Sequence, residues 1–283
     1  MTEWYNETLY PEVAQRFVIK NIVFRERTEH QDLVIFENPV MGRILALDGI
    51  IQTTEGDEFI YHEMLTHVPI LAHGKAKEIL IIGGGDGGMA REAMKHRGVE
   101  RVTMVEIDRS VVDMCVKYIP SIGAEAFKNK KLNLVIDDGA AFVKHCKDKF
   151  DVIIIDSTDP QGPGAVLFTR EFYADCKRCL TKGGILVTQN GVPFFQPDEL
   201  GNTAKRLKSL FKNTAFYLGA VPTYYGGFMA FGWGSDSAVH RDIPIKEAAT
   251  RFKASGIATR YYTPELHVGC FALPRFIQKL MAG

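Results

Sequence analysis

The chain has 283 residues, 46% of them hydrophobic, and its 34 Lys and Arg balance its 34 Asp and Glu, so the net charge is zero. A chain of this length can bury one large domain and a second, small one. The zero balance argues against general binding to nucleic acid or to an anionic membrane surface, although it is compatible with local charged patches.

The sequence contains no stretch suited to crossing a membrane or to directing secretion. Charged and polar residues interrupt residues 1–20, and no run approaches the roughly 18 apolar residues that a membrane span requires. Five cysteines in a chain without a secretion signal favour free thiols over a disulfide framework. We therefore expect a soluble protein of the cytoplasm.

Residues 1–54 predict a small antiparallel β domain. β-branched and aromatic residues cluster in RFVIKNIVFRE (16–26) and DLVIFEN (32–38). In ILALDGIIQTT (44–54), the pair Asp48-Gly49 between two apolar runs predicts a hairpin with a two-residue turn. Such a domain would pack, dimerise or add a residue or two to a cleft.

Residues 55–72 predict a helix at the start of a larger domain, 55–283. The helix carries His62 and His67, which raise the question of a metal site. A zinc-protease helix places its two histidines four positions apart on one face, whereas five positions separate these two by about 140° around the axis. We therefore expect no metal at this helix.

From Lys75 onward, strands and helices alternate. The candidate strands are EILIIG (78–83), RVTMVEI (101–107), LNLVI (132–136), FDVIIID (150–156), GGILVTQ (183–189), AFYLGAV (215–221) and FMAFGW (228–233). Helical patterns separate the first five, which predicts an α/β fold with a doubly wound, mostly parallel sheet. The short turn PTYYGG (222–227) between the last two predicts an antiparallel terminal hairpin, as in Rossmann-like methyltransferases.

Two further segments allow predictions. Cys176 and Cys179 form a C-x-x-C, but they lie in a helical pattern without a second cysteine or histidine pair, so we interpret them as structural. The tail, residues 248–283, predicts helices with one extended piece, RYYTPELH (260–267).

The first strand of the large domain runs into a glycine turn, EILIIGGGDGG (78–88). Glycines such as Gly83 and Gly85 allow the backbone to approach a ligand closely, and a strand, turn and helix start of this kind is where α/β sheets bind nucleotides and nucleosides. Asp86 does not suit a phosphate cradle, because its charge repels anions. This turn therefore favours a nucleoside over a pyrophosphate such as that of NAD.

Acidic residues recur where the following strands end. Glu106 ends the second strand and can accept hydrogen bonds from ribose hydroxyls, and Asp138, after the third, can accept one from an adenine amino group. Either residue could instead only cap the helix that follows it. The fourth strand ends in DSTDPQGPG (156–164), either a closing loop or a plain surface connection. Together the strand ends indicate a site for an adenine nucleoside.

The same edge of the sheet combines carboxylates with aromatic side chains. The acids are Asp86, Asp156 and Asp159, and the aromatic candidates are Tyr61, Tyr224, Tyr225 and Trp233. This combination suits an elongated amine or polyamine, through ion pairs and cation–π contacts. Each aromatic residue could equally belong to the hydrophobic core.

Seven segments of the chain resemble the spermidine synthase (polyamine aminopropyltransferase) family. They are GGGDGG, MVEID, LVIDDG, DVIIIDSTDPQGP and PTYYGG, with HQDL and EFIYHEM upstream. The resemblance extends from about Asn6 into the C-terminal region, in the family's order. It implies a transferase that moves the aminopropyl group of decarboxylated S-adenosylmethionine to putrescine, giving spermidine and 5'-methylthioadenosine. It also implies a homodimer or dimer of dimers, no metal or other cofactor, and no nucleic-acid or membrane partner.

The resemblance assigns roles to individual residues. Positions that hold the donor nucleoside are Gln31, Glu106, Asp138, Gly139 and Pro163, together with the turn glycines Gly83 and Gly85. Positions that hold the amine are Tyr61, His62, Asp86, Asp156, Ser157, Thr158, Asp159, Gln189 and Tyr225. Asp156 occupies the position of the proton acceptor.

Two other functions are compatible with parts of this pattern. An S-adenosylmethionine methyltransferase would have to place a methionine carboxylate near Asp86, which is electrostatically unfavourable. A non-catalytic nucleoside- or polyamine-binding protein would not need both Asp156 and Asp159 beside a Gly/Pro-rich loop. The sequence leaves open whether the acceptor is putrescine, cadaverine, agmatine or spermidine.

Overall fold

The computed structural model describes residues 2–160 and 162–282, and the side chains of residues 162 and 163 also lie outside the described part. The N-terminal strands are β1 (Trp4–Asn6), β2 (Arg16–Val18), β3 (Asn21–Arg27), β4 (Asp32–Asn38), β5 (Gly42–Leu47) and β6 (Ile50–Thr54). β1 and β2 pair with each other, and β3 to β6 form a four-stranded antiparallel sheet in sequence order. The predicted β-rich N-terminal segment is thus confirmed.

The predicted hairpin turn joins β5 to β6. Asp48 and Gly49 both have positive φ, 47° and 86°, and Leu47 pairs with Ile50 across the turn. Two positive φ values in a two-residue loop define the type I′ turn, whose twist matches that of the strands it connects.

The larger part of the chain alternates strands and helices. The strands are β7 (Glu78–Gly83), β8 (Arg101–Glu106), β9 (Leu132–Ile136), β10 (Phe150–Asp156), β11 (Leu180–Gln189), β12 (Asn213–Gly219) and β13 (Met229–Ser235). The helices are α1 (Glu58–His73), α2 (Gly88–Lys95), α3 (Arg109–Tyr118), α4 (Pro120–Gly123), α5 (Gly139–His145), α6 (Arg170–Cys179), α7 (Pro197–Leu210), α8 (Ile245–Ser255), α9 (Pro264–Gly269) and α10 (Arg275–Ala282). Short 3-10 helices cover Ala126–Lys128 and Gly162–Phe168.

The seven strands form one sheet in the order β12-β13-β11-β10-β7-β8-β9. All neighbours are parallel except β13, which runs antiparallel to both β11 and β12. The predicted doubly wound sheet with an antiparallel terminal hairpin is confirmed. Within the described residues, no helix is long and apolar enough to cross a membrane.

The central strands are apolar because helices cover both faces of the sheet. Residues 79–82 of β7 are at most 1% exposed, with alternate side chains in two different core clusters. β7 pairs directly with β10, and the last pair in that register is Gly83 with Asp156. The glycine turn and the first acid of the fourth strand end therefore lie side by side.

The four-stranded sheet packs against the larger part through α3. Leu33, Leu45 and Leu47 form a core cluster with Val111 and Cys115. This packing carries the N-terminal strands to the carboxyl edge of the seven-stranded sheet, where the candidate residues were expected.

Helix α1 is buried along almost its whole length, because the C-terminal segment covers its outer side.

In the C-terminal segment, the prediction of an extended piece at 260–267 is wrong from Pro264 onward. Thr263 caps helix α9 by accepting a hydrogen bond from the Leu266 N–H, and Pro264 occupies the first turn. Because proline is favoured in the first turn of a helix, residues 264–266 (PEL) mark a helix start. The aromatic residues before them obscured this signal.

The cysteines are unpaired, as expected from their number and spacing. All five are free thiols, and Cys176 and Cys179 are buried in α6 against the core on one side of the sheet. Their structural interpretation agrees with this packing.

The Glu63 side chain of α1 anchors the C-terminal segment. Its buried carboxylate accepts hydrogen bonds of 2.7 to 2.8 Å from the backbone N–H groups of residues 260–262. A glutamine can present only one oxygen, and its NH2 group would face an N–H donor. We therefore expect Glu63→Gln to lower the free energy of unfolding by about 2–3 kcal/mol. Urea unfolding of the two proteins measures the difference, and equal midpoints with equal slopes would contradict it.

Candidate active site

A cavity of about 510 Å³ opens at the carboxyl edge of the large sheet, between that edge and the N-terminal strands. Almost all the candidate residues line it: Gln31, Tyr61, His62, Gly83, Gly85, Asp86, Glu106, Asp138, Gly139, Asp156, Ser157, Thr158, Asp159, Gln189 and Tyr225. Pro163 lies in the 3-10 helix that follows β10, and its side chain is outside the described residues. The fold thus brings together residues that are up to 194 positions apart (225 − 31).

Asp156 ends β10 and lies partly buried in this cavity. Its Oδ1 accepts a hydrogen bond of 2.7 Å from the Tyr61 hydroxyl. Burial and the nearby charge of Asp86 raise the pKa of Asp156 to about 6, although His62 and the Tyr61 hydroxyl act in the opposite direction. The carboxylate is therefore ionised near neutral pH and can still take up a proton.

Asp86 is fixed within the glycine turn by two contacts. Its Oδ1 accepts a hydrogen bond of 2.7 Å from the Gly88 N–H at the start of α2, and its Oδ2 lies 3.4 Å from His62 Nε2. Burial lowers the pKa of His62, but Asp86 and Glu58 outweigh it and hold that pKa well above its ordinary value. His62 is therefore an imidazolium between two carboxylates.

Glu106 ends β8 beneath the turn. Its Oε1 accepts a 2.9 Å hydrogen bond from the Asp108 N–H, and burial raises its pKa to about 7. The turn can approach Glu106 because residue 85 is glycine: a Cβ there would lie 2.9 Å from Glu106 Oε2. At Gly83, with φ 86°, a Cβ would lie 2.0 Å from the Asp156 carbonyl oxygen. Gly83 is thus required by the neighbouring strand, a constraint beyond the ligand approach expected from sequence.

Helix capping accounts for part of what the other acids do. Asp138 Oδ1 accepts hydrogen bonds from the N–H groups of Ala140 (2.7 Å) and Ala141 (3.1 Å), as the capping alternative predicted. Asp108 caps α3 in the same way and accepts a 3.0 Å hydrogen bond from the Gln31 amide. Because Asp138 and Gln31 also line the cavity, capping fixes their positions there.

Beyond Asp156, the loop and the next strand end are tied together by amide side chains. Gln196 Nε2 donates to Asp159 Oδ1 at 2.9 Å, and burial raises the pKa of Asp159. Gln189 Nε2 donates to the Ser157 carbonyl at 3.0 Å, and Gln189 Oε1 accepts from the Gly191 N–H at 2.9 Å. Gln189 therefore holds the loop, and Asp159 keeps an oriented carboxylate at the cavity.

Of the aromatic candidates, Tyr61, Tyr224 and Tyr225 line the cavity, but the assignment of Trp233 is wrong. Trp233 is completely buried in β13 and packs edge-on against Phe271 in the core, which was the alternative considered from sequence. It shares a strand face with Met229, which lines the cavity, but it lies further from the carboxyl edge, paired with Val187 of β11. The apolar sequence of a strand covered on both faces gives no sign of how far each residue lies from the ligand edge.

The N-terminal segment contributes cavity residues that sequence reasoning missed, from the connection between β1 and β2 and from β6. They include Glu7, Tyr10 and Gln52. Glu7 Oε1 accepts a 3.0 Å hydrogen bond from the Ile51 N–H, and burial raises the pKa of Glu7. Gln52 is held through its carbonyl, which accepts from the Tyr224 hydroxyl. No sequence motif marks these residues, because only the packing of the N-terminal segment brings them to the site.

The two histidines of α1 face different partners. His62 lies between Glu58 and Asp86, whereas His67 lies 3.1 Å from Glu92 Oε2 through Nε2 and 2.9 Å from His96 through Nδ1. Across residues 2–160 and 162–282, no group of three or more His, Cys, Asp or Glu side chains is arranged to hold a metal ion.

Comparison with protein families gives two matches that together cover most of the chain. Residues 58–243 match the family described as Spermine/spermidine synthase domain, and residues 3–55 match the Spermidine synthase tetramerisation domain.

Curated relatives match over nearly their full length. The chain is 60% identical to polyamine aminopropyltransferase 1 of Pseudomonas aeruginosa over 273 residues, which is 96% of each chain. It is 56% identical to the polyamine aminopropyltransferase of a Ruegeria species over 277 residues, 98% of each chain.

Solved structures of similar architecture carry related names. A spermidine synthase in complex with the transition-state analogue AdoDATO superposes with a TM-score of 0.94 at 38% identity, covering 99% of this chain and 95% of the other. The spermidine synthase of Thermotoga maritima gives a TM-score of 0.91 at 36% identity, with 99% and 94% covered.

The Tyr61 hydroxyl should control the ionisation of Asp156. Tyr61→Phe removes a hydrogen bond that stabilises the carboxylate, so we expect the pKa of Asp156 to rise above about 6. Carbon-13 NMR titration of labelled aspartate measures the change. Tyr217→Phe is the matched control, because this buried hydroxyl donates to the Met64 carbonyl instead. An unchanged or lowered Asp156 pKa in Tyr61→Phe would contradict the prediction.

Proposed function

The chain belongs to the spermine/spermidine synthase family, and from this premise we propose that it transfers the aminopropyl group of decarboxylated S-adenosylmethionine to putrescine. The products are spermidine and 5'-methylthioadenosine. The observation that carries the proposal is the partly buried Asp156 carboxylate, bonded to Tyr61 and lying beside the glycine turn of the cavity.

The reaction is a displacement at the methylene carbon attached to the donor sulfonium. The amine lone pair forms the new C–N bond, the C–S bond breaks, and neutral methylthioadenosine leaves. The positive sulfur already activates the leaving group, so the step requires no metal, and the donor is a co-substrate. Holding nucleophile and carbon in line contributes roughly 7–11 kcal/mol to lowering the barrier.

Asp156 provides the base that the protonated amine needs. An alkylammonium has a pKa of about 10.4 and holds its proton at neutral pH, so its lone pair must be freed before attack. Asp156 takes or relays that proton as a general base. Its pKa of about 6 suits this role, because the group is ionised at pH 7 yet is more basic than an ordinary aspartate.

The donor nucleoside binds at the first three strand ends. Glu106 accepts from the ribose hydroxyls, Asp138 and Gly139 bind the adenine, and Gln31 and Pro163 complete this part of the pocket. Four of the five are supported by their place in the cavity lining, and Pro163 by family resemblance.

The amine binds along the acidic side of the cavity. Asp86 and Asp159 hold ammonium groups, and His62, Ser157, Thr158, Gln189 and the rings of Tyr61 and Tyr225 complete this part of the site. Two acids flanking Asp156 suit an acceptor with an amine at each end. Putrescine is the acceptor that the overall resemblance favours.

The family membership also supports a division of the chain into two domains. Residues 1–54 form a small β domain that supports the cavity and assembly, and residues 55–283 form the catalytic domain. We expect a homodimer or a dimer of dimers, and the name of the family that matches residues 3–55, which refers to tetramerisation, supports the second form. We expect the enzyme to work in the cytoplasm, where its five thiols stay reduced.

Product analysis tests the proposed reaction. The protein is incubated with putrescine and either decarboxylated S-adenosylmethionine or S-adenosylmethionine, and the products are weighed by mass spectrometry. We expect spermidine and methylthioadenosine from the decarboxylated donor. A methylated product would identify a methyltransferase, and unchanged ligands would identify a binding protein, so either result would overturn the proposal.

Asp156→Asn should keep donor binding but lower turnover at least ~100-fold, because the general base is lost. Steady-state turnover and calorimetric donor binding measure the two effects. Asp151→Asn is the matched control, since Asp151 lies at the other end of the same strand and binds the N–H groups of Lys77 and Glu78. Near-normal turnover in Asp156→Asn would exclude it as the base.

Asp86→Asn should weaken aminopropyl transfer and relax discrimination between donors. We expect binding of S-adenosylmethionine to improve about tenfold relative to the decarboxylated donor, because a charge that repels its carboxylate is removed. Competitive inhibition by S-adenosylmethionine measures the ratio in both proteins. A ratio that stays unchanged would show that Asp86 does not select the donor.

A further inference from the structure

Behind Asp86 lies a chain of charges that the reaction itself does not use. His62 is 2% exposed, and its Nδ1 lies 2.5 Å from Glu58 Oε2, while its Nε2 faces Asp86. Glu58 and His62 are one helical turn apart on α1. Because the two ring nitrogens face different acids, Glu58 lies on the opposite side of the ring from Asp86.

Arg91 of α2 completes the arrangement from outside. Its Nη2 and Nη1 bind the two oxygens of Glu58 at 2.8 and 3.1 Å, and its Nε binds Glu92 Oε1 at 2.7 Å. Burial raises the pKa of Glu58, but His62 and Arg91 outweigh it and lower that pKa to about 2. The signs therefore alternate along Asp86, His62, Glu58, Arg91 and Glu92, which we call the charge chain.

The charge chain fixes Asp86 mechanically as well as electrostatically. A Cβ on Gly88 would lie 2.2 Å from His62 Cε1, so the imidazole lies directly against the first residue of α2. Asp86 bonds that same residue through the Gly88 N–H. The Asp86 carboxylate is thus held between a helix terminus and an imidazolium, and both are fixed by α2.

Stability alone is a weak reason for this arrangement. Buried ion pairs contribute little net stability compared with apolar residues of similar size. The surrounding part of α1 buries apolar side chains such as Met64 and Leu65 without any charge. At one end of the charge chain Asp86 and His62 line the large cavity, and the other end opens to a smaller cavity where Arg91 is 23% exposed.

We propose that Glu58 and Arg91 are positioning residues for the transfer reaction, which act through His62 to hold the Asp86 carboxylate towards the substrates. The inference rests on the proposed role of Asp86 in binding the amine. It assigns to His62 an indirect contribution, since both of its ring nitrogens face protein carboxylates.

Glu58→Gln tests the charge chain with little change in shape. We expect the KM for putrescine to rise about tenfold, with kcat changed less than about threefold, because a small misplacement of a binding group weakens substrate binding. Nitrogen-15 NMR titration of labelled histidine should show the His62 pKa well above its ordinary value in the parent protein and lower in the variant, where Asp86 alone still raises it. Glu63→Gln is the matched control on the same buried helix, and its KM and His62 signal should stay at the parent values.

The outcomes separate this inference from the proposed function. A parent protein that makes no spermidine would refute the function, whereas an active parent with an unchanged putrescine KM in Glu58→Gln would refute the positioning role. An equal rise of the KM in Glu63→Gln would also refute it, because the rise would then be a general effect of destabilising α1.

If Glu58→Gln does not fold, Arg91→Gln interrupts the charge chain from the solvent side. It should raise the KM, Arg91→Lys should restore part of the loss, and a parent-like KM in Arg91→Gln would refute the proposal.

Discussion

Two carboxylates that share one cavity, Asp86 and Asp156, set the main constraint on this structure. Burial and the nearby charge of Asp86 disfavour ionisation of Asp156, as its raised pKa shows. The fold compensates with groups that favour negative charge: the Tyr61 hydroxyl, the His62 imidazolium and the Gly88 N–H. The glycine turn, helix α1 and the pairing of β7 with β10 together place these compensating groups.

This compensation gives the cavity a chemical character that suits a cation. The protein groups stabilise the carboxylates without saturating them, so an ammonium or a sulfonium can take up the remaining interaction. The same potential opposes a pyrophosphate or a methionine carboxylate. The glycine turn resembles that of many nucleotide sites, and we propose that Asp86 changes which substituent a bound adenosine can carry.

Much of the fold could be predicted because its signals are local. The Asp48-Gly49 turn, the apolar strands and the acids at the strand ends are written in short stretches, and the parallel sheet brings those ends to one edge. The aromatic residues before Pro264 masked a helix start, and the distance of Trp233 from the carboxyl edge had no sequence signal.

What could not be predicted depends on packing between distant segments. Gln52 reaches the cavity because the four-stranded sheet packs on α3, whereas Glu7 and Tyr10 reach it from the connection between β1 and β2, where Glu7 binds the Ile51 N–H. The four-residue spacing of Glu58 and His62 was visible, but Arg91 lies on another helix, so the charge chain had no sequence signature. The family resemblance assigned His62 to the amine site, and the structure places a protein carboxylate at each of its ring nitrogens.

The central claim is that paired, oriented carboxylates select the donor by charge. Calorimetric titration of the unaltered protein with decarboxylated S-adenosylmethionine and with S-adenosylmethionine tests it most directly. We expect the decarboxylated donor to bind at least about 100-fold more tightly, because the two molecules differ by one carboxylate. Equal affinities would contradict it.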